Sequence, residues 1–403
     1  MKVVLDTRNY LAGEVLSKAV PFLLMPFFTR IFNADEFAEY TLFYSFYLLF
    51  FYLLVFCQDG SIARYYIKYG QYAQFNLLVI GHLMLFGISL FIGALIHLID
   101  FKTEAINWVL FSAISNSLFS IQLRMRHCRF QSTYYLASQA VAAVGVLSLT
   151  LYFAHIQKIG PTSFFIAASI IYVLAFFVLS LDLMKTCLIS TNIKKYVSIR
   201  LFRYLVFFGL AGVVHQLSFF SKGHVDRFII YSNFSSEEIA TYGASTQIAA
   251  ILSVILMAVN KGLTPYAYKA MKAGKLDKLK IQRYTKLSVL YTPLPAFMCF
   301  LVPQKLFTLL LGTGFEQAKH LTMLFIISIS CTLPYLVMVA FLFYHGKHMA
   351  VTIISLVTAL LHILILFAFV SFDDINLFPV ASIIVNFLMV GFVWLYLEYI
   401  YEK

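Results

Sequence analysis

Twelve apolar runs follow one another along the chain, at about 9–32, 37–57, 75–98, 106–124, 132–154, 162–181, 204–225, 237–259, 286–303, 320–343, 349–370 and 377–397. Each is close to the ~20 residues that a helix needs to cross a bilayer. No other feature constrains the fold as strongly, because backbone in lipid must satisfy its own hydrogen bonds within a helix or a closed barrel. The runs are long and lack period-two alternation, so barrel strands are excluded. Only 12% of the 403 residues are charged, against roughly a quarter in a soluble domain. The sequence predicts an all-α polytopic membrane protein with about 12 transmembrane helices. A soluble enzyme, a disordered chain and a disulfide scaffold are excluded together.

The first run follows the polar residues Met1 to Tyr10 without a small-residue cleavage motif, so it reads as a retained span. The five cysteines, Cys57, Cys128, Cys187, Cys299 and Cys331, show no ligand spacing and are expected to be free thiols. Metal ligation and cofactor binding are not expected.

Basic residues set the orientation. Of 30 Lys and Arg residues, 22 lie at the termini or in one alternate set of connections: Arg64 and Lys68; Arg124, Arg126 and Arg129; Lys185 to Arg203; Lys261 to Lys286; and Lys347. Positive-inside placement puts both termini and these connections in the cytoplasm. The charge is spread over juxtamembrane segments, which fits anionic lipid headgroups and not nucleic acid. The Asp182–Arg203 and Lys261–Lys286 connections each read equally well as an amphipathic surface helix or as a solvated connector.

Six spans on each side of the middle connection divide the chain into 1–185, a six-helix bundle; 186–203, a cytoplasmic connector; and 204–403, a second six-helix bundle. An offset of 202 residues aligns Glu36, Ala38 and Tyr40 with Glu238, Ala240 and Tyr242, and Gly60 and Tyr66 with Gly262 and Tyr268. Two halves of equal orientation are related by an axis along the membrane normal, which creates a central cavity suited to alternating access.

Ionisable residues inside spans are costly unless they meet water or one another. Glu14 and Lys18 are four residues apart in the first span, with Pro21 and Pro26 beyond and Arg30 near the outer end. Pro21 is expected to bend this helix. In the seventh span His215, Lys222 and Asp226 fall within about 40° on a helical wheel, with Arg227 rotated away. These two charged faces are expected to line a polar cavity; the competing reading makes each an i,i+4 structural pair. His82, His97 and His362 stand singly on apolar spans and read as interior residues. His345 and His348 occupy a turn. Arg124, Arg126, His127 and Arg129 read as headgroup anchors, with contact to a diphosphate as the alternative.

Several stretches together carry a resemblance. They are Pro21-Phe-Leu-Leu-Met-Pro-Phe-Phe-Thr-Arg30, Glu36 through Tyr40, Asp226-Arg227-Phe-Ile-Ile, Glu238-Ile-Ala-Thr-Tyr242 and Pro265-Tyr-Ala-Tyr-Lys269. The chain resembles Wzx-type O-antigen flippases, in the polysaccharide transporter branch of the multidrug/oligosaccharidyl-lipid/polysaccharide (MOP) exporter superfamily. The resemblance implies two bundles arranged as in the multidrug and toxin extrusion (MATE) transporters of that superfamily. It also implies movement of an undecaprenyl-diphosphate-linked oligosaccharide across the bacterial cytoplasmic (inner) membrane, coupled to Na⁺ or H⁺. Polysaccharide polymerase and chain-length proteins are the implied protein partners. Lys18, Lys222, Arg227 and Arg30 become the expected substrate cations, Asp226 and Glu14 the ion-coupling acids, and His215 a further polar cavity residue. A drug or cation antiporter of the same superfamily is the first alternative, although it would favour an acidic interior. A membrane polymerase, ligase or acyltransferase is the second. It would need catalytic residues on a sizeable outer loop, and no nucleophile–base pair or phosphate loop occurs.

Overall fold

The computed structural model describes residues 2–56, 58–100, 102–187 and 199–402. Among these the chain is helical almost throughout and has no strand. The helices are α1 (Lys2–Ile31), α2 (Ala34–Val55), α3 (Gln58–Ile99), α4 (Thr103–Cys128), α5 (Ser132–Leu151), α6 (Ser163–Cys187), α7 (Ile199–Asn233) and α8 (Ser236–Lys272). They continue as α9 (Lys278–Tyr291), α10 (Leu294–Leu301), α11 (Gln304–Leu311), α12 (Ala318–Ser330), α13 (Thr332–Tyr344), α14 (His348–Val370) and α15 (Leu377–Glu402). Among the described residues, 11 helical stretches are long and apolar enough to cross a membrane, and a bent pair, Lys278–Leu301 with Gln304–Leu311, makes a twelfth. All twelve expected runs are therefore present.

Several connections differ from expectation. The basic segment after the second span is helical, because no proline interrupts residues 58–99 and the chain continues directly into α3. Most of Lys261–Lys286 likewise belongs to α8 and α9, leaving only residues 273–277 between them. It is neither a separate surface helix nor a long solvated connector. The ninth span breaks at Val302 and Pro303, after which α11 turns away by 77°. The chain is continuous helix across Pro21 and Pro26. The expected connector at 186–203 lies mostly outside the described residues. Cys128, Cys299 and Cys331 are free thiols; Cys57 and the Cys187 side chain lie outside the described residues.

The helices form two compact units. The first comprises Met1–Val20 and Leu42–Leu217. Its centre is α4, packed against α3 and α6. Phe119 and Leu123 of α4 meet Ala142 of α5 and Leu179 of α6, and Tyr172 stacks on Phe119 at 5.3 Å. Small residues allow this close approach in lipid. Ser112, Ser115 and Ser117 are fully buried on α4, and each hydroxyl donates to a carbonyl of the preceding turn at 2.7–2.8 Å. Arg126 corrects the headgroup-anchor expectation. It is buried, donates to Gln131 Oε1 at 2.8 Å and to the Leu179 carbonyl at 3.3 Å, and so ties α4 to α6.

The second unit comprises Pro21–Thr41 and Ser218–Lys403. One core joins Ala38 to Ile229, Ile230, Tyr242, Leu321, Phe325, Leu366 and Phe378. A second core gathers Ile281, Tyr335, Met338, Leu342, Met389 and Val393. The 202-residue repeat appears here as a helix-capping device. The Asn33 amide donates to Glu36 Oε2 at 3.0 Å and the Glu36 amide to Asn33 Oδ1 at 2.8 Å. Ser235 and Glu238, each 202 residues later, form the same reciprocal box at 3.1 and 3.4 Å. Such boxes satisfy otherwise orphaned N–H groups at a helix start. Tyr40 and Tyr242 are correspondingly among the largest fully buried side chains. A Cβ on Gly243 would lie 2.4 Å from Thr41 Oγ1, so α8 needs glycine where it passes α2. Thr41 is the counterpart of Gly243 in the repeat.

Candidate functional site

Polar residues of the second unit converge on the C-terminal half of α7. That helix is apolar on most faces, and its closing turns carry Ser221, Lys222, His224, Asp226 and Arg227. Asp226 and Arg227 are 2% and 8% exposed, so neither charge is left to bulk solvent. Arg227 Nη1 lies 3.4 Å from Asp226 Oδ1. The Arg227 amide also donates to that oxygen at 3.0 Å, and the Tyr242 hydroxyl of α8 donates to Oδ2. Arg227 meanwhile donates to the Gly223 carbonyl at 2.5 Å and to Thr246 Oγ1 at 2.8 Å, and its Nη1 lies 2.9 Å from His224 Nδ1. The guanidinium fork thus has partners on both α7 and α8. A buried ion pair survives only with this kind of hydrogen-bond completion.

Lys222 behaves differently. The helical wheel placed it on one stripe with Asp226, with Arg227 turned away. In the structure Asp226 pairs with Arg227. Among the described residues the Lys222 ammonium meets the Met389 sulfur of α15 at 2.9 Å and the Phe219 ring at 4.7 Å, with no carboxylate within 4.0 Å. A thioether is a weak acceptor, and an ammonium carries three donors. Lys222 is half-buried, so its charge is neither well solvated nor compensated.

The other expected residues are dispersed. Arg30 is on the second unit, but its guanidinium donates to the carbonyls of Pro26 at 2.5 Å, of Leu310 at 3.3 Å and of Leu309. Leu309 and Leu310 end α11, so Arg30 caps that helix and complements its negative end. The described contacts of Arg30, an expected cavity cation, are thus those of a cap. Glu14, half-buried, and Lys18, exposed, sit on the α1 portion of the first unit; His215 also belongs to that unit. Asp35 and Glu36 lie in the first turn of α2, and Glu237 and Glu238 in the first turn of α8.

The sequence reading missed several contributors, His224 among them. Tyr242 was visible only as a repeat identity, and Thr246 carried no signal. His362 was singled out as a lone interior histidine. It is fully buried on α14, between the Ser221 carbonyl and Ser382 Oγ at 3.2 and 3.1 Å. Asn386 of α15 donates to Ser328 of α12 at 3.0 Å, extending the polar seam.

Comparison with known proteins agrees with this architecture. The MatE family model matches residues 211–368. A Haemophilus influenzae protein described as "Uncharacterized membrane protein" is 32% identical over 351 residues, covering 86% of this chain and 85% of that protein. Among solved structures, the lipid II flippase MurJ in an inward closed conformation superposes with a TM-score of 0.75 at 13% identity, covering 96% of this chain and 87% of MurJ. The D35N mutant of the Vibrio cholerae MATE transporter VcmN gives 0.68 at 15% identity, covering 98% and 95%. The chain is a multi-pass membrane protein of the same family as the Haemophilus influenzae protein, with a stretch similar to the MatE family and a fold like those of VcmN and MurJ.

Proposed function

We propose that this protein moves an undecaprenyl-diphosphate-linked oligosaccharide, an O-antigen or related repeat unit, from the inner to the outer leaflet of the bacterial cytoplasmic membrane by alternating access. The observation that carries the reading is the state of the charges on α7. Asp226 is taken up by Arg227 and Tyr242, whereas among the described residues Lys222 has only a sulfur and an aromatic face. What remains for a ligand is therefore positive, and a diphosphate leaving water requires such charge. A drug-cation antiporter would instead need an accessible carboxylate, and Asp226 is buried beneath its own donors. Lys18, exposed on α1, is the second proposed cation. Asp226 and Glu14 are the proposed ion-coupling acids, Asp226 with both oxygens already hydrogen-bonded. The termini and the Lys275 turn are placed in the cytoplasm by the distribution of basic residues.

Reconstitution tests the reading. Proteoliposomes containing the protein should translocate a fluorescent undecaprenyl-diphosphate oligosaccharide faster than empty vesicles and should not accumulate lipophilic cations. Gradient-driven cation efflux without movement of the lipid-linked sugar would favour the antiporter.

A further inference from the structure

His362 lies near the middle of α14 and joins two neighbouring helices. Its Nδ1 faces the Ser221 carbonyl of α7 at 3.2 Å, and its Nε2 faces Ser382 Oγ of α15 at 3.1 Å. A carbonyl oxygen only accepts, so Nδ1 carries a hydrogen in both the neutral and the charged ring. Nε2 is therefore the atom that can gain or lose a proton. In the neutral ring Nε2 accepts the Ser382 hydroxyl hydrogen. In the imidazolium Nε2–H donates to Ser382 Oγ, and the Ser382 hydrogen swings to the Phe378 carbonyl at 3.4 Å. Rotation of one hydroxyl accommodates both charge states while every heavy atom keeps its partner.

A second observation points the same way. Ser355, Thr358 and His362 are each 0% exposed and lie within about 60° on one face of α14. Ser218 and Ser221 add buried hydroxyls from α7. Buried polar stripes within a span are costly and mark paths for ions or protons. The charged groups that act on the ring are Asp226 and Lys222, both from α7. Facing it, α15 presents the neutral Ser382, and α13 presents Tyr335 near the level of Ser355. No titratable residue occurs on α12 between Leu321 and Ser330.

We propose that His362 is a proton-binding site of this transporter, additional to the coupling acids proposed above, charged and discharged at Nε2 through the Ser382 hydroxyl. The proposal rests on the transport reading above only for the existence of a cycle, and its test needs no cargo. Protein with ¹⁵N-labelled histidine in lipid nanodiscs is titrated by NMR over roughly pH 5–8, where histidine can change charge. His362→Gln identifies the signal by its loss. Ser382→Ala identifies it independently, by shifting one histidine while the Ser221 bond remains. The expected result is a neutral ring with hydrogen on Nδ1 at high pH, and reversible conversion of Nε2 from acceptor to N–H on acidification. An Nε2 that stays unprotonated across the whole range in folded protein overturns the proposal and leaves a purely structural bridge. That failure would leave the lipid-linked reading untouched, since no sugar lipid is present.

Discussion

Tyr242 donates its hydroxyl hydrogen to Asp226, sixteen residues earlier, and so fixes the carboxylate from the side opposite Arg227. The contact joins the start of α8 to the end of α7. It makes Asp226 an anchor for a buried guanidinium. Asp226→Ala would leave Arg227 buried without a counter-charge, a loss of about 3–5 kcal/mol. Tyr242→Phe would cost less, about 1–2 kcal/mol, since one hydrogen bond is lost and the ring remains packed. Thermal unfolding in detergent should rank the variants in that order. The Asp226→Ala, Arg227→Ala double variant should be destabilised by less than the sum of the two single changes.

Arg30→Ala removes the cap of α11. The expected cost is about 1 kcal/mol, as for a cation at a helix C-terminus, with transport per folded molecule unchanged. A transport loss at normal abundance would return Arg30 to the substrate site.

The contact of Thr41 with Gly243 offers a test of the repeat. Gly243→Val should lower abundance sharply, because even a single added Cβ falls 2.4 Å from Thr41 Oγ1. Exchanging the two residues, Thr41→Gly with Gly243→Thr, should restore abundance, since equivalent positions present the same surface to one another. Failure of the exchange would argue against that equivalence.

Topology follows from the basic residues. Cysteine introduced at Lys275 should be reached by an impermeant reagent only after lysis, whereas positions Lys158 and Asp373 should label in intact cells. Labelling of position 275 in intact cells would invert the orientation.

The spans were legible because a bilayer demands about twenty apolar residues, whatever the tertiary packing. The helical connections were less so. Charges in residues 58–74 read as a loop, although nothing there prevents α3 from extending into them. Identity counting found Glu36 and Glu238 but missed their caps, because Asn33 and Ser235 do the same work with different side chains. The wheel for α7 put Asp226 beside Lys222, whereas the ion pair is with Arg227. Side-chain direction and the arrival of Tyr242 from α8 decide that Asp226 meets Arg227, and neither is a property of the periodicity. For His362, burial was legible; its bridge from Ser221 to Ser382 depends on which helices become neighbours.

In the proposed mechanism Lys222 supplies the positive charge that receives the diphosphate, and flipping by charge-altered Lys222 variants tests that role. In proteoliposomes supplied with undecaprenyl-diphosphate oligosaccharide, Lys222→Met should reduce translocation at least tenfold. Its abundance and thermal stability should match the parent, because a thioether packs well against Met389 and Phe219. Lys222→Arg should retain part of the rate, since the charge survives while the geometry changes. Full translocation by Lys222→Met would contradict the account and leave Lys222 a bystander beside Met389.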